Sequence, residues 1–226
     1  MLRIIGDVHA QTDRDNLVSQ RGRPYLEIIA DAEYSVQIGD MGDGETYDQL
    51  TLEVNATRHR FFPGNHDHYH HLPVHSLGDF GATSLGEVDF FFIRGAASTD
   101  RDKLIRLGEK LGKQLWFAEE ELTDEQMAAA EAAYLAARPE IVLSHDAPSQ
   151  IARETWRLSL RHAAPRAVFR ASRTNAFLAR LLDQHGPRLW MFGHHHVDWR
   201  DRQENTEFVC VGELSHVDID AQGVRK

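Results

Sequence analysis

Five short apolar runs in this chain end alike, each leading through a small or turn-forming residue into a side chain able to bind a cation. Leu2–Ile5 leads into Gly6-Asp7, residues 34–38 into Gly39-Asp40, and residues 60–62 into Pro63-Gly64-Asn65. Residues 141–143 lead into Ser144-His145, and Leu189–Phe192 into Gly193-His194. Each run has the length of a strand, and a continuous apolar run suits a strand buried on both faces. Between the runs, residues 24–32, 45–56, 123–137 and 175–184 read as helices. The third is the clearest: Thr123 and Gln126 form a capping box, an Ala-rich body follows, and Pro139 stops it. Val88–Ile93, with three consecutive phenylalanines, breaks the alternation. So do residues 208–211 and 217–219, which are expected to form a terminal meander or hairpin. The pattern predicts an α/β (α+β) fold in which two stacked mixed β-sheets are flanked by helices.

Composition narrows the class. The 226 residues allow one large domain or two small ones, and no internal repeat, low-complexity tract or Pro/Ser-rich linker divides them. A single domain over residues 1–226 is expected. Hydrophobic content of 42% and charged content of 27% exclude wholesale disorder. No apolar run reaches the ~20 residues of a membrane span. The chain also opens on a strand rather than the long apolar stretch of a secretory leader, so a cytoplasmic protein without membrane partners is expected. The single Cys210 excludes an internal disulfide framework and a four-thiolate metal site, and reads as a buried small hydrophobe. With 25 Lys+Arg against 35 Asp+Glu, the formal charge of −10 argues against a stable nucleic-acid complex, because phosphate coating needs a positive surface. The unusual count is histidine, at 14.

The strand ends carry Asp7-Val8-His9, Gly39-Asp40, Gly64-Asn65-His66-Asp67, Ser144-His145 and Gly193-His194-His195-His196. In open α/β sheets, ligands gather at the carboxyl ends of strands, so segments distant in sequence can converge there. Taken singly, each block has a plain structural reading: Asp7 or Asp40 as a turn or cap, His145 as a hydrogen-bonded core histidine, Gly-Asn-His-Asp as a turn. Their joint occurrence at strand ends favours a common site.

In this order, from residue 7 to residue 196, the blocks resemble the calcineurin-like metallophosphoesterases, and in particular small bacterial and phage-type members. The family pattern is D-x-H, G-D, G-N-H-[D/E], H and G-H-x-H. The resemblance implies a four-layer sandwich and two divalent metal ions (Mn, Fe or Zn). Asp7, His9 and His196 would hold the first ion, Asn65, His145 and His194 the second, and Asp40 would bridge both. The chemistry agrees, since a carboxylate can span two cations, and imidazole with amide oxygen suits these metals. Such a centre hydrolyses phosphoesters through a bridging hydroxide. His66 would protonate the leaving group, with Asp67 as the candidate group that orients it. His195, in the variable position of G-H-x-H, is expected to be turned away by strand-like backbone. His68, His70 and His71 line the cleft or a solvated loop, and His59, His75, His162, His185 and His216 lack motif context.

Departures from subfamily patterns bear on substrate. Protein Ser/Thr phosphatases and diadenosine tetraphosphate hydrolases carry G-D-x-V-D-R-G and G-N-H-E. This chain has Gly39-Asp40-Met41-Gly42-Asp43-Gly44 and Gly64-Asn65-His66-Asp67, without the arginine that clamps phosphate. A small phosphodiester or nucleotide-type substrate is therefore preferred. The alternatives are a phosphoprotein phosphatase and a catalytically inactive binding or scaffold member of the fold. Residues 92–101, with 115–117 and 119–122, resemble small bacterial and phage members whose loop after this strand borders the active site. Arg94, Asp100 and Arg101 are then candidate substrate contacts or salt-bridge formers. Residues 151–182 hold seven arginines against one acid, Glu154. This Arg-rich segment, about 147–185, reads either as a solvated helix face or as a cap-like basic lip over an anionic substrate, with Arg157, Arg161 and Arg173 as contacts alongside Arg166 and Arg170.

Overall fold

In the computed structural model, residues 1–13, 16–19, 25–42, 44–159 and 168–225 are described. Arg161, His162 and Arg166, together with Asp43, lie outside them. In chain order the elements are β1 (Leu2–Ile5), β2 (Ala10–Asp13), β3 (Asn16–Ser19), α1 (Tyr25–Ile29), β4 (Tyr34–Gln37), α2 (Gly44–Glu53), β5 (His59–Phe61), β6 (Phe80–Leu85), β7 (Val88–Ile93) and α3 (Arg101–Leu111). There follow α4 (Asp124–Ala137), β8 (Ile141–Ser144), α5 (Ser149–Ser159), α6 (Arg173–Gln184), β9 (Leu189–Phe192), β10 (Trp199–Gln203), β11 (Thr206–Cys210), β12 (His216–Asp220) and β13 (Gly223–Val224).

One sheet has the order β13-β12-β1-β4-β5, with β1, β4 and β5 parallel; the other has the order β10-β11-β9-β8-β7-β6, with β7, β8, β9 and β11 parallel. The sheets pack face to face through Leu2, Ile4, Val36 and Ile38 on one side and Phe90, Phe92, Leu143, Met191 and Val209 on the other. Side chains of opposite parity on the same strands face outward. On the first sheet, Ile5 and Phe61 are covered by Tyr25 and Ile28 of α1 and by Tyr47 and Leu50 of α2. On the second, Phe91, Trp190 and Phe208 are covered by α4, α5 and α6. The three phenylalanines of β7 are thus divided: Phe90 and Phe92 fill the space between the sheets, and Phe91 meets the Tyr134 ring edge-on at 5.4 Å. The result is four layers, helix, sheet, sheet and helix, as expected.

The terminal strands depart from expectation. β11 pairs with β9 and β10 in the second sheet, and β12 pairs with β1 and β13 in the first. Residues 211–215 therefore cross between sheets instead of turning a hairpin, and this crossing carries Leu214 against Asp7. α5 and α6 bury Ile151, Ala152, Phe177, Leu178 and Leu181 against the second sheet, so the described parts of the Arg-rich segment belong to that sheet's outer layer.

Candidate metal centre

The parallel strands of both sheets end on one side, where Gly6, Gly39, Gly64, Ser144 and Gly193 release the chain into loops. Asp7 is fully buried. Its Oδ1 accepts the His194 N–H at 2.9 Å and its carbonyl accepts the Leu214 N–H at 2.9 Å. Its Oδ2 lies 2.8 Å from His196 Nε2, yet takes part in no hydrogen bond. His9 Nε2 is 3.2 Å from His196 Nε2, 3.7 Å from Asp40 Oδ2 and 3.9 Å from Asp7 Oδ2. One donor atom from each of Asp7, His9, Asp40 and His196 thus falls within 4.8 Å of the others.

A second group shares Asp40. Donor atoms of Asp40, His145 and His194 also lie within 4.8 Å of one another. His145 Nε2 is 3.4 Å from Asp40 Oδ1 and 3.1 Å from Asn65 Oδ1. His145 Nδ1–H donates to the Ile38 carbonyl at 2.9 Å, which fixes the ring so that Nε2 faces the group. The Asn65 amide nitrogen donates away from the site, to Ser98 Oγ at 3.0 Å, so its oxygen faces inward.

The residues fit divalent ions. Asp7 Oδ2 and Asp40 Oδ2 are buried with no hydrogen-bond partner, an arrangement that is costly unless another positive group completes it. Carboxylate, imidazole and amide oxygen form the mixed donor set that suits Mn, Fe or Zn. A model of the calcineurin-like phosphoesterase family matches residues 2–198. The chain belongs to that family. Among solved structures, it is similar to phosphopantetheinyl hydrolase from Mycobacterium tuberculosis, at 13% identity and TM-score 0.46, covering 94% of this chain and 89% of that one. It is also similar to a putative 5′-nucleotidase from Staphylococcus aureus, at 11% identity and TM-score 0.49, covering 100% of this chain and 52% of that one. The zinc complex of Vps29 from Entamoeba histolytica matches at 12% identity and TM-score 0.42, covering 99% and 88%. No curated protein matches the sequence.

Local backbone explains how this calcineurin-like phosphoesterase crowds so many donors together. His9, Asp40, His194 and His196 all adopt left-handed conformations, with φ of 45°, 60°, 64° and 53°. Gly39, at φ 103°, passes so close to His145 that a Cβ would overlap its ring. At Gly64 a Cβ would overlap Asp40 Oδ1. Electrostatically, burial opposes charge on Asp40, but His145 and His66 hold it well below the usual carboxylate range. Burial likewise disfavours a charged His145, yet Asp40 and Asp7 push it up to about 10. Burial lowers His194 to about 4, with His145 and His195 adding to the effect.

The remaining expected site residues are placed as follows. His66 is exposed beside the centre, its ring edge-on to His9 at 5.4 Å and its N–H donating to Asp40 Oδ1 at 2.8 Å. Asp67 does not orient that imidazole. Its Oδ2 accepts the N–H groups of Asp40, Met41 and Gly64 at 2.8, 3.2 and 2.7 Å, and its Oδ1 accepts Gly42 N–H at 3.0 Å and the Tyr47 hydroxyl at 2.9 Å. Its carboxylate is used up in clamping the Gly39–Gly42 and Gly64 loops together. His195 turns inward, 3.2 Å from Asp146 Oδ1, through the left-handed turn at His194 and His196 instead of the extended backbone expected.

Of its two expected roles, substrate contact and salt bridge, Arg94 takes the second. It is only 4% exposed, donates to Asp79 Oδ1 and the Glu119 carbonyl at 2.5 Å each, and covers the Tyr69 ring at 4.7 Å. These contacts make it an internal strut, with no guanidinium presented to the cleft. Asp100 precedes α3 and lies 3.5 Å from Lys103, and Arg101 stacks on Trp116 at 4.3 Å. Arg173 meets Asp124 at 2.5 Å, whereas Arg157 is exposed on α5. His68, His70 and His71 cluster with one another, and His68 and His70 meet the Phe117 ring edge-on. His59, His75 and His185 bond to Ser35, Val54 and Pro139. Cys210 is buried. Glu213, 3.8 Å from His196 Nδ1, carried no sequence signal, since it follows no strand-end motif.

Proposed function

We propose that the chain hydrolyses phosphoesters at a dinuclear divalent metal centre, acting on a small phosphodiester or nucleotide-type substrate. The observation that carries this reading is the pair of donor groups sharing Asp40, with Asp7 Oδ2 and Asp40 Oδ2 buried among them without a hydrogen-bond partner. Asp7, His9 and His196 would hold one ion, Asn65, His145 and His194 the other, with Asp40 between them. When bound, two such ions supply Lewis acidity toward phosphoryl oxygens and lower the pKa of water. His66 would hand a proton to the leaving-group oxygen, a reading supported by its exposure beside the donors and by its backbone N–H bond to Asp40 Oδ1. Asp67 keeps the Asp40 and Asn65 loops in register. The preference for a diester rests on the missing phosphate-clamping arginine after Asp43 and on the internal role of Arg94.

Turnover of bis-p-nitrophenyl phosphate and p-nitrophenyl phosphate, after Mn²⁺ loading and again in chelator, tests the reading. Chelator-sensitive hydrolysis with the diester favoured is expected. Preference for the monoester would overturn the substrate class, and full activity in chelator would overturn the metal centre.

A further inference from the structure

Asn65 is the one carboxamide in the proposed ligand set, and its usefulness depends on which way its amide faces. The two ends of a carboxamide have nearly the same shape, but only the oxygen can donate a lone pair to a cation. Something must therefore select the orientation. Asn65 Nδ2 donates to Ser98 Oγ at 3.0 Å, and Ser98 Oγ in turn donates to Glu120 Oε2 at 2.6 Å. Glu120 Oε1 accepts the Ser98 backbone N–H at 3.1 Å, so both its oxygens are committed to the same residue. Glu120 is 5% exposed and Asn65 1% exposed, which leaves little room for water to substitute. The segments are also locked by backbone. Gly95 N–H donates to the Pro63 carbonyl at 3.0 Å, and a Cβ at Gly95 would overlap the Glu120 carbonyl oxygen.

We propose that Ser98 and Glu120 are positioning residues that set the orientation of the Asn65 amide and thereby complete the second metal subsite. The inference rests on the dinuclear reading above. An ionised carboxylate only accepts, so it claims the single hydroxyl proton of Ser98. Ser98 Oγ can then offer Asn65 nothing but a lone pair, which selects Nδ2–H and turns Oδ1 toward His145. The loop after β7 thus contributes no ligand and no substrate contact through these groups; it determines the polarity of one. The loop resemblance noted in the sequence acquires a role here that Arg94 does not supply.

The decisive substitution is Glu120→Gln, which keeps size and shape but can donate to Ser98, releasing the hydroxyl proton toward Asn65 and favouring the flipped amide. Calorimetric titration of the metal-free protein with Mn²⁺ reads each subsite, and thermal melting monitors the fold. Outer-sphere changes of this kind cost about 10–100-fold in metal affinity. Glu120→Gln is expected to weaken one of two binding events by that factor and leave the other within about twofold. In an Asn65→Asp background, where either ligand oxygen can bind, Glu120→Gln is expected to have almost no further effect. Equal loss in both backgrounds, or of both ions alike, would overturn the inference and assign Glu120 a merely structural part. So would undiminished binding of two ions. If Glu120→Gln fails to fold, Ser98→Ala, which removes the acceptor, must show the same selective loss, and undiminished binding there overturns the inference. Wild-type protein that binds fewer than two ions would overturn the dinuclear reading itself and this inference with it.

Discussion

His9, Asp40, His194 and His196 are held on left-handed backbone, which for non-glycine residues costs on the order of 1–3 kcal/mol each. Among the described residues, the other non-glycine residues with positive φ are Arg138, Glu204 and Leu214, and Leu214 donates to the Asp7 carbonyl. Strain is thus concentrated where donors converge, and the contacts around them keep it in place. Gly64→Ala tests this crowding, since the new Cβ would overlap Asp40 Oδ1 and press within 2.6 Å of His145 Nε2. Metal capacity measured by elemental analysis is expected to fall at both subsites, with a lower melting temperature. His66 and Asp67 should separate cleanly. His66→Asn is expected to retain fold and metal while turnover falls about 10²–10⁴-fold, most for alkyl esters, whose leaving groups need the proton. Asp67→Asn turns an acceptor of four backbone N–H groups into an amide that opposes some of them with its own donors. Denaturant unfolding is expected to show a loss of roughly 2–4 kcal/mol, with metal binding impaired as well. Comparable losses of stability in both variants would contradict the division of roles.

Elements whose sequence carried an unambiguous physical signal were legible. The runs before His145 and His194 could be read because central strands covered on both faces are apolar throughout, and those before Asp7 and Asp40 because apolar residues dominate strands that are likewise central. The run before Asn65 is the edge strand β5, legible mainly from Phe61 and Phe62 ahead of Pro63-Gly64. Thr123 and Gln126 form the capping box, with N–H···O distances of 2.9 and 3.2 Å, and Arg138 closes α4 in a left-handed conformation before Pro139. Thr123→Ala is expected to cost about 0.5–2 kcal/mol in denaturant unfolding, with metal binding unchanged. α3 was not legible, because Gly108 is its one buried residue and its apolar side chains cover little. Nor was the crossing at residues 211–215, since a five-residue link serves a hairpin or a change of sheet equally well. The roles of Asp67 and Arg94 depended on contacts brought about by folding and left no spacing signal. The crossing is secured at its far end by Arg3, which donates to Asp218 Oδ1 at 2.8 Å and to the Ile28 carbonyl at 2.8 Å, joining β1, β12 and α1. Arg3 holds the Asp218 carboxyl below its ordinary range. Its contribution is therefore present above the unfolded pKa of about 3.9 and lost as pH falls through the lower folded value. Asp218→Asn is expected to lower the melting temperature near pH 7 and to match the wild type near pH 2. A constant difference across that range would contradict the assignment.

At the scale of the whole molecule, the donors come from loops after β1, β4, β5, β8 and β9, so both sheets contribute to one centre. Ions bound there would tie the two halves of the sandwich together, and metal should raise the melting temperature as well as enable turnover. No described helix is long and apolar enough to cross a membrane. Asp40 is where the two donor groups meet, and it is the residue on which the dinuclear account depends. Elemental analysis of metal-loaded, desalted protein tests that account most directly, with wild type and Asp40→Ala measured side by side and circular dichroism confirming the fold. Two ions per wild-type chain and almost none in Asp40→Ala are expected. One ion or fewer in the wild type, or two retained in folded Asp40→Ala, would contradict it.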